Sequence, residues 1–255
     1  MGGVLFLGLA LWCSPGLAQD EEPQRQKTFE PYQGDTEPEV EPESASTTHL
    51  DLALRSGGAF AFGDTREGLS QADIVNTQIP IWIDVGARFG RKLEWHVGLY
   101  ASYGFTSIAK PLQDLCDADE AQFPGLDTTC SARDLRVGFQ FQRHYRPTPQ
   151  HDFWFGVGFG WEWLTLSERV TLEQESATLD VGLNGLDLSL QLGLDIFPIK
   201  NLGIGPFLAL DDAYYFSQSQ ECTGSCGTVP AVATTISGVT AHYWLFLGAR
   251  VVVIL

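Results

Sequence analysis

Residues 79–89, Ile-Pro-Ile-Trp-Ile-Asp-Val-Gly-Ala-Arg-Phe, carry an apolar side chain at every odd position and Asp84, Gly86 and Arg88 among the even ones. A period of two is the spacing at which an extended strand sends neighbours to opposite faces, so this stretch has one apolar and one polar face. The next run repeats the pattern: Leu93, Trp95, Val97, Leu99, Ala101, Tyr103 and Phe105 alternate with Glu94, His96, Gly98, Tyr100, Ser102 and Gly104. Eight such segments follow one another, at residues 50–63, 79–90, 93–106, 134–145, 152–166, 179–197, 202–216 and 238–255. An all-β chain is the expectation. In the sixth segment the apolar phase changes from odd (Leu179, Val181, Leu183) to even (Leu186 to Ile196) across Asn184-Gly185, which predicts a β-bulge there. Pro206 and Asp211-Asp212 interrupt the seventh, the least regular of the eight.

The connections between segments alternate strictly between long and short: 64–78, 91–92, 107–133, 146–151, 167–178, 198–201 and 217–237. That rhythm sends every long loop to one end of an up-and-down sheet and every tight turn to the other. The long loops hold Asp64, Glu67, Asp117, Asp119, Glu120, Glu173 and Glu175, whereas Arg88, Arg91, Lys92, Arg143, Arg146, Lys200 and Arg250 cluster towards the turns. One rim is expected to be acidic and the other basic.

Alternation alone leaves open whether the apolar face packs inward or meets lipid. Three features favour lipid. One face is uniformly apolar, as in Leu135, Val137, Phe139 and Phe141, or Phe153, Phe155, Val157, Phe159, Trp161 and Trp163. The opposite face mixes glycine with Asp51, Arg55, Asp84, Arg88, Glu94, Arg136, Glu162, Asp187, Asp195 and Arg250, a set in which lysine is missing and arginine is ready to pair with buried acids. Trp95, Tyr103, Trp161, Trp163 and Tyr243 fall near segment ends, where aromatic girdles form. A secreted soluble sandwich or lipocalin-like barrel is the alternative. No apolar run is long enough for a membrane-spanning helix.

Residues 1–18 have an apolar stretch from Val4 to Trp12 and small residues before a cut after Ala18, so a signal peptide is expected; Trp12 disfavours lipidation of Cys13. Residues 19–48 hold nine acids, two bases and four prolines and are expected to form a disordered acidic linker, leaving residues 49–255 as the barrel. Four cysteines then remain in an exported chain, Cys116, Cys130, Cys222 and Cys226. They allow three disulfide connectivities, of which two local pairings are the simplest. A zinc site lacks histidine or CxxC support, and no cofactor or metal is expected. The net charge of −17 disfavours nucleic acid as a partner.

Strand number, loop rhythm and the last strand together resemble the small eight-stranded outer-membrane barrels of the OmpA and OmpX type. The resemblance implies an eight-stranded antiparallel up-and-down transmembrane β-barrel with short periplasmic turns and long extracellular loops, in the outer membrane of a diderm bacterium. It also implies that Gly248, Val251, Val253 and Leu255 form the signal read by the barrel-assembly machinery, with leucine where an aromatic usually stands. The peptidoglycan-binding domain of full-length OmpA-type proteins is not expected.

Eight strands enclose a lumen only wide enough for side chains, and Trp82, Trp154, Trp244 and Phe246 beside Gly98, Gly156, Gly158 and Gly248 would fill it. A non-enzymatic structural or surface-interaction role through acidic, disulfide-bearing loops is therefore expected, in a monomer. Lipid and lipopolysaccharide are the expected surroundings, and divalent cations or a protein are contacts that such loops suit. The alternative is a lipid or peptide hydrolase using His242 with Asp211 or Asp212, since a carboxylate can orient a histidine as general base. A narrow ion or small-solute conduit is the third reading. Arg250 is expected to pair inside with Asp51 or Asp195.

Overall fold

The computed structural model describes residues 48–255 except 67, 123–124, 174, 227–228 and 237–239, and omits the side chains of residues 66, 119–122 and 229–231. The expected signal peptide with Cys13, residues 19–47 of the acidic linker and the side chains of Glu67, Asp119 and Glu120 lie outside the described residues.

Eight strands occur in the order expected: β1 (His49–Arg66), β2 (Val75–Phe89), β3 (Trp95–Ile108), β4 (Leu126–Thr148), β5 (His151–Leu172), β6 (Glu175–Ile199), β7 (Leu202–Gly224) and β8 (Ala241–Ile254). Each pairs antiparallel with the next, and β8 pairs with β1, which closes the ring. Lateral partners lead from Ala53 through Asp84, Tyr100, Gly138, Gly160, Asp187, Ala213 and His242 back to β1 at Gly63, ten residues beyond the start. A stagger of that size tilts the strands by roughly 40–45° to the barrel axis.

The faces are inverted relative to a soluble barrel. On β2, Ile79, Ile81 and Ile83 are 61%, 43% and 53% exposed, while Trp82 and Asp84, on either side of Ile83, are buried. On β5 the outward residues run from Phe153 to Trp163. Eleven residues at about 3.3 Å rise and that tilt span about 25 Å, the height of the apolar belt of a membrane barrel.

Four strands run far past this belt. β4 to β7 contain 22 to 25 residues each, whereas about 9–11 suffice to cross a bilayer. Above the belt the alternation reverses sense. In β5 the apolar residues move to the even, inward positions Leu164 and Leu166, and in β6 to the odd, inward positions Val181 and Leu183. The reversal occurs at one level, since Trp163 pairs with Asn184 and Leu164 with Leu183. Water replaces lipid outside at that line, so the outer face turns polar and the inner face apolar.

This corrects two expectations. The phase change at Asn184-Gly185 is the water line and not a bulge in β6, which stays in register with β5 throughout. A register shift does lie at Asn184/Gly185, but the extra residue is Phe216 of β7, whose carbonyl accepts the Ile236 N–H at 3.0 Å and whose ring packs edge-on against Trp161. The connection at 167–178 is no irregular loop either: β5 and β6 remain paired up to Leu172 and Glu175. The turn holds Glu173 in the left-handed region.

The other long connections carry short elements. A one-turn helix, α1 (Gln71–Ile74), is capped by Ser70, whose Oγ accepts the Ala72 N–H, and Ile74 and Val75 are buried over the barrel interior with Leu164, Leu183 and Tyr215. A longer helix, α2 (Lys110–Gln122), follows β3. A further strand, Val229–Thr235, pairs with the upper part of β7. The disulfides are the two local ones, Cys116–Cys130 and Cys222–Cys226. The first fastens α2 to β4 and the second closes the start of the last loop.

Candidate functional site: a packed lumen beneath a braced outer sheet

Because inward positions recur every second residue on all eight strands, the lumen's contents can be read level by level. Nearest the turns, Arg88 donates to Asp51 and, at 2.5 Å, to Asp152. Arg250 donates to Asp195 at 3.0 Å and lies 3.8 Å from Asp51, so both partners expected for it are present. His144 shares Asp152 at 3.1 Å. In the middle, Arg55 makes a two-pronged contact with Asp84 at 2.7 and 2.6 Å and donates to Gln191 and Gln140, each at 2.8 Å. Its guanidinium lies 4.3 Å from the centroid of Trp82, a favourable cation–π contact in a dry site.

The uppermost level is built on Arg136. Its three nitrogens meet Asp134 at 2.9 Å, Asp211 at 2.5 Å and Glu162 at 3.0 Å. Glu162 also accepts from Tyr215 Oη at 2.9 Å and Trp244 Nε1 at 3.1 Å, and lies 3.1 Å from His242 Nε2. Tyr100 Oη reaches Asp187 at 3.2 Å. Tyr100 fits because the wall beside it is glycine: a Cβ on Gly160 would fall 2.2 Å from that hydroxyl and 2.4 Å from Asp187. Gly160→Val is accordingly expected to lower stability by about 1–3 kcal/mol, the usual cost of overpacking, read as an earlier midpoint in urea unfolding from lipid vesicles.

Among the described residues, the buried interior holds eight carboxylates (Asp51, Asp84, Asp134, Asp152, Glu162, Asp187, Asp195 and Asp211) and four arginines (Arg55, Arg88, Arg136 and Arg250). Each arginine therefore serves as a hub for more than one acceptor, which its planar, five-donor head allows and a lysine would not. The fillers expected from sequence, Trp82, Trp154, Trp244 and Phe246, are all buried there.

Of the lumenal charges expected, nine are inside. Glu94 is not: it sits in the turn before β3, where its carboxylate accepts the Lys92 N–H at 2.8 Å and lies 4.0 Å from Arg143. That backbone hydrogen bond, with the nearby cations, holds its carboxyl below the ordinary glutamate value. Residue 94 precedes the first β3 residue, so its parity says nothing about facing. Asp134, Asp152, His144 and the lumenal glutamines Gln78, Gln140, Gln142 and Gln191 were missed, although their inward parity on β2, β4, β5 and β6 was available in the sequence.

The candidate hydrolytic group is arranged differently from expectation. His242 bonds Glu162 and stacks on Tyr215 at 4.1 Å. Asp211 is committed to Arg136, and Asp212, opposite outward-facing Tyr243, accepts from Tyr214. His242 laterally pairs with Ala213, so neither aspartate is its neighbour across the strand.

Outside, aromatic residues mark both edges of the belt. Trp95 stacks on Phe141 with the Arg143 guanidinium 4.1 Å from its ring at the turn end, and Trp161, Trp163, Phe216 and the stacked Phe62–Tyr243 pair lie at the loop end. Arg91, Lys92, Arg143, Arg146 and Lys200 flank the turns, and Asp64, Asp117, Glu173 and Glu175 lie at the opposite end. In β8, Gly248 pairs with Gly57 of β1, and a Cβ on either would fall 2.1 Å from the facing strand's carbonyl oxygen. Val251 and Leu255 face outward at the lower end of that seam, beside inward-facing Val252 and Ile254.

A closed antiparallel ring with an apolar belt of about 25 Å outside and a paired, charged interior pairs its backbone groups within the sheet and exposes a predominantly apolar surface to lipid. The protein is an eight-stranded transmembrane β-barrel of the outer-membrane class. Its fold is similar to that of neisserial surface protein A, with 9% identity, 82% of this chain and 97% of that chain covered and a TM-score of 0.43. A major outer membrane protein of Thermus thermophilus gives 12% identity, 81% and 99% coverage and a TM-score of 0.47. The attachment invasion locus protein Ail of Yersinia pestis gives 10% identity, 80% and 97% coverage and a TM-score of 0.33. No family model matches the chain, and neither does any curated protein.

Proposed function

We propose that the protein is a non-enzymatic outer-membrane barrel that neither conducts nor hydrolyses and works through the sheet and helix it raises above the membrane. The observation that carries this reading is the pairing of a lumen obstructed at every level by buried tryptophan and arginine with strands that continue well past the bilayer. The nature of the filling matters here: Arg55 under Trp82, and Arg136 tied to three acids, occupy the middle and upper levels of the lumen, which supports an occluded interior. The hydrolase alternative would need substrate to reach His242, which is buried with Glu162 beneath Ile74, Val75 and Leu164.

The outer sheet has the properties of a presented surface. Its height comes from β4 to β7, its first edge is fastened by Cys116–Cys130 and its loop-end charge is acidic. A protein partner, or divalent cations bridging to lipopolysaccharide, suits that chemistry. Planar-bilayer recording of the folded full chain tests the occluded lumen. The expected trace shows no discrete steps; regular single-channel openings would overturn the reading in favour of a conduit. A parallel assay compares lipid and peptide hydrolysis by wild type and His242→Ala, with no activity expected in either.

A further inference from the structure

A hollow of about 200 Å³ lies between α2 and the inner face of the outer sheet. Leu112 and Leu115 of α2 border it on one side, Leu166, Leu179 and Val181 of β5 and β6 on the other, and the Cys116–Cys130 disulfide at its end. It shares Leu166 and Val181 with a second apolar hollow of about 140 Å³. Leu166 and Val181 stand above the level at which Trp163 pairs with Asn184, so the hollow is beyond the apolar belt and bilayer lipid does not fill it.

We propose that this hollow is a binding site for a small neutral apolar molecule, a single-ring hydrocarbon or a short alkyl chain, taken up from the external medium. An enclosed apolar cavity of about 150 Å³ is poorly filled by water and is large enough for benzene; this hollow is of similar size but open to the medium on one side, and six of its eleven wall residues are aliphatic, with Ser131, Ser167 and Glu168 the polar ones. Its one charged wall residue is Glu168, and the adjoining helix adds Asp117 together with an Asp114 that is already ion-paired with Lys110. Those carboxylates repel an anionic head group and leave a neutral ligand unaffected, which excludes free fatty acids as the favoured class. The disulfide holds α2 at a fixed distance from the sheet, so the space persists when empty and little ordering is needed on binding.

The inference rests on the outer sheet being the working part of the molecule, and its test separates the two ideas. The full chain is folded into lipid nanodiscs, and the fluorine resonance of fluorobenzene is followed by NMR against empty nanodiscs of the same lipid. Line broadening above that of the empty discs is expected for wild type. Val181→Trp, which fills the hollow from the sheet, is expected to weaken binding about tenfold, or about 1.4 kcal/mol. Leu112→Trp fills it from the helix, outside the barrel wall, and serves should the sheet variant fail to fold; different migration of boiled and unboiled protein reports folding. The anion 4-fluorobenzoate is expected to show no excess broadening. Broadening equal to that of empty discs, or equal in wild type and both tryptophan variants, would overturn the site. Because the lumen's conductance is measured separately, such a failure leaves the occluded-barrel reading standing.

Discussion

Arg136→Leu is expected to be the most damaging single substitution in the lumen, lowering unfolding stability in lipid vesicles by about 3–5 kcal/mol. The reason is the arrangement around it: Asp134, Asp211 and Glu162 all place oxygens on its three nitrogens, and Asp187 belongs to the same level. Without the guanidinium, no arginine or lysine among the described residues reaches this group of buried acids. Arg136→Lys is expected to recover only part of the loss, since one ammonium cannot meet three carboxylates in a plane. Asp211→Asn gives the opposing control. It removes one negative charge from an acid-rich level, and its cost is expected to be well below that of the arginine variant. Equal losses in the Asp211 and Arg136 variants would show that the level is held by individual contacts and not by one shared hub.

Val157→Arg is expected to cost about 2–4 kcal/mol, the value for a cation facing lipid at the middle of the bilayer. Val157 is 48% exposed on β5 and sits near the centre of the belt between Phe153 and Trp163. Arg169→Leu, above the water line on the same strand, is expected to change stability by less than about 0.5 kcal/mol. The comparison is made by urea titration of both variants in vesicles of one composition. An indifferent Val157→Arg would contradict the lipid-facing assignment of the apolar surface, because on a water-exposed face an arginine is harmless.

The eight segments, their order and the division into turn and loop ends were legible because each depends only on local alternation and on spacing. So were the fillers Trp82, Trp154, Trp244 and Phe246, which follow from strand parity. The reversal at Leu164 and Leu183 was visible as a phase change but was ambiguous: a bulge and a change of solvent both shift the apolar residues by one position. Only the register between β5 and β6 distinguishes them, because two neighbouring strands reverse at one level.

The candidate site was less legible. His242 and Glu162 are 80 residues apart and occupy β8 and β5, strands that are not neighbours in the ring. Their meeting depends on the ten-residue stagger and on reach across the lumen, neither of which alternation encodes. The same applies to Arg136 and Asp211, on β4 and β7. Arg250 was the exception, since both Asp51 and Asp195 lie at the turn end by simple counting along their strands. The hollow under α2 could not be read at all, because residues 110–122 fall within a long connection and nothing in the strand alternation says that a helix covers the sheet.

The seam between β1 and β8 sets a condition on how the ring can be made. Each of the seven other strand pairs joins neighbours in the chain and can zip as a hairpin soon after both strands exist. The remaining pair joins Asp51 to Ile254, and the Leu50 and Leu255 backbones exchange hydrogen bonds at its foot. Until that pair forms, the assembling sheet has two open edges, and open edges have no place in hydrocarbon. Closing a loop of this length is slow compared with zipping hairpins. Insertion should therefore behave as a late, concerted event, with a membrane-associated, incompletely closed sheet accumulating before it whenever β8 is slow to find β1.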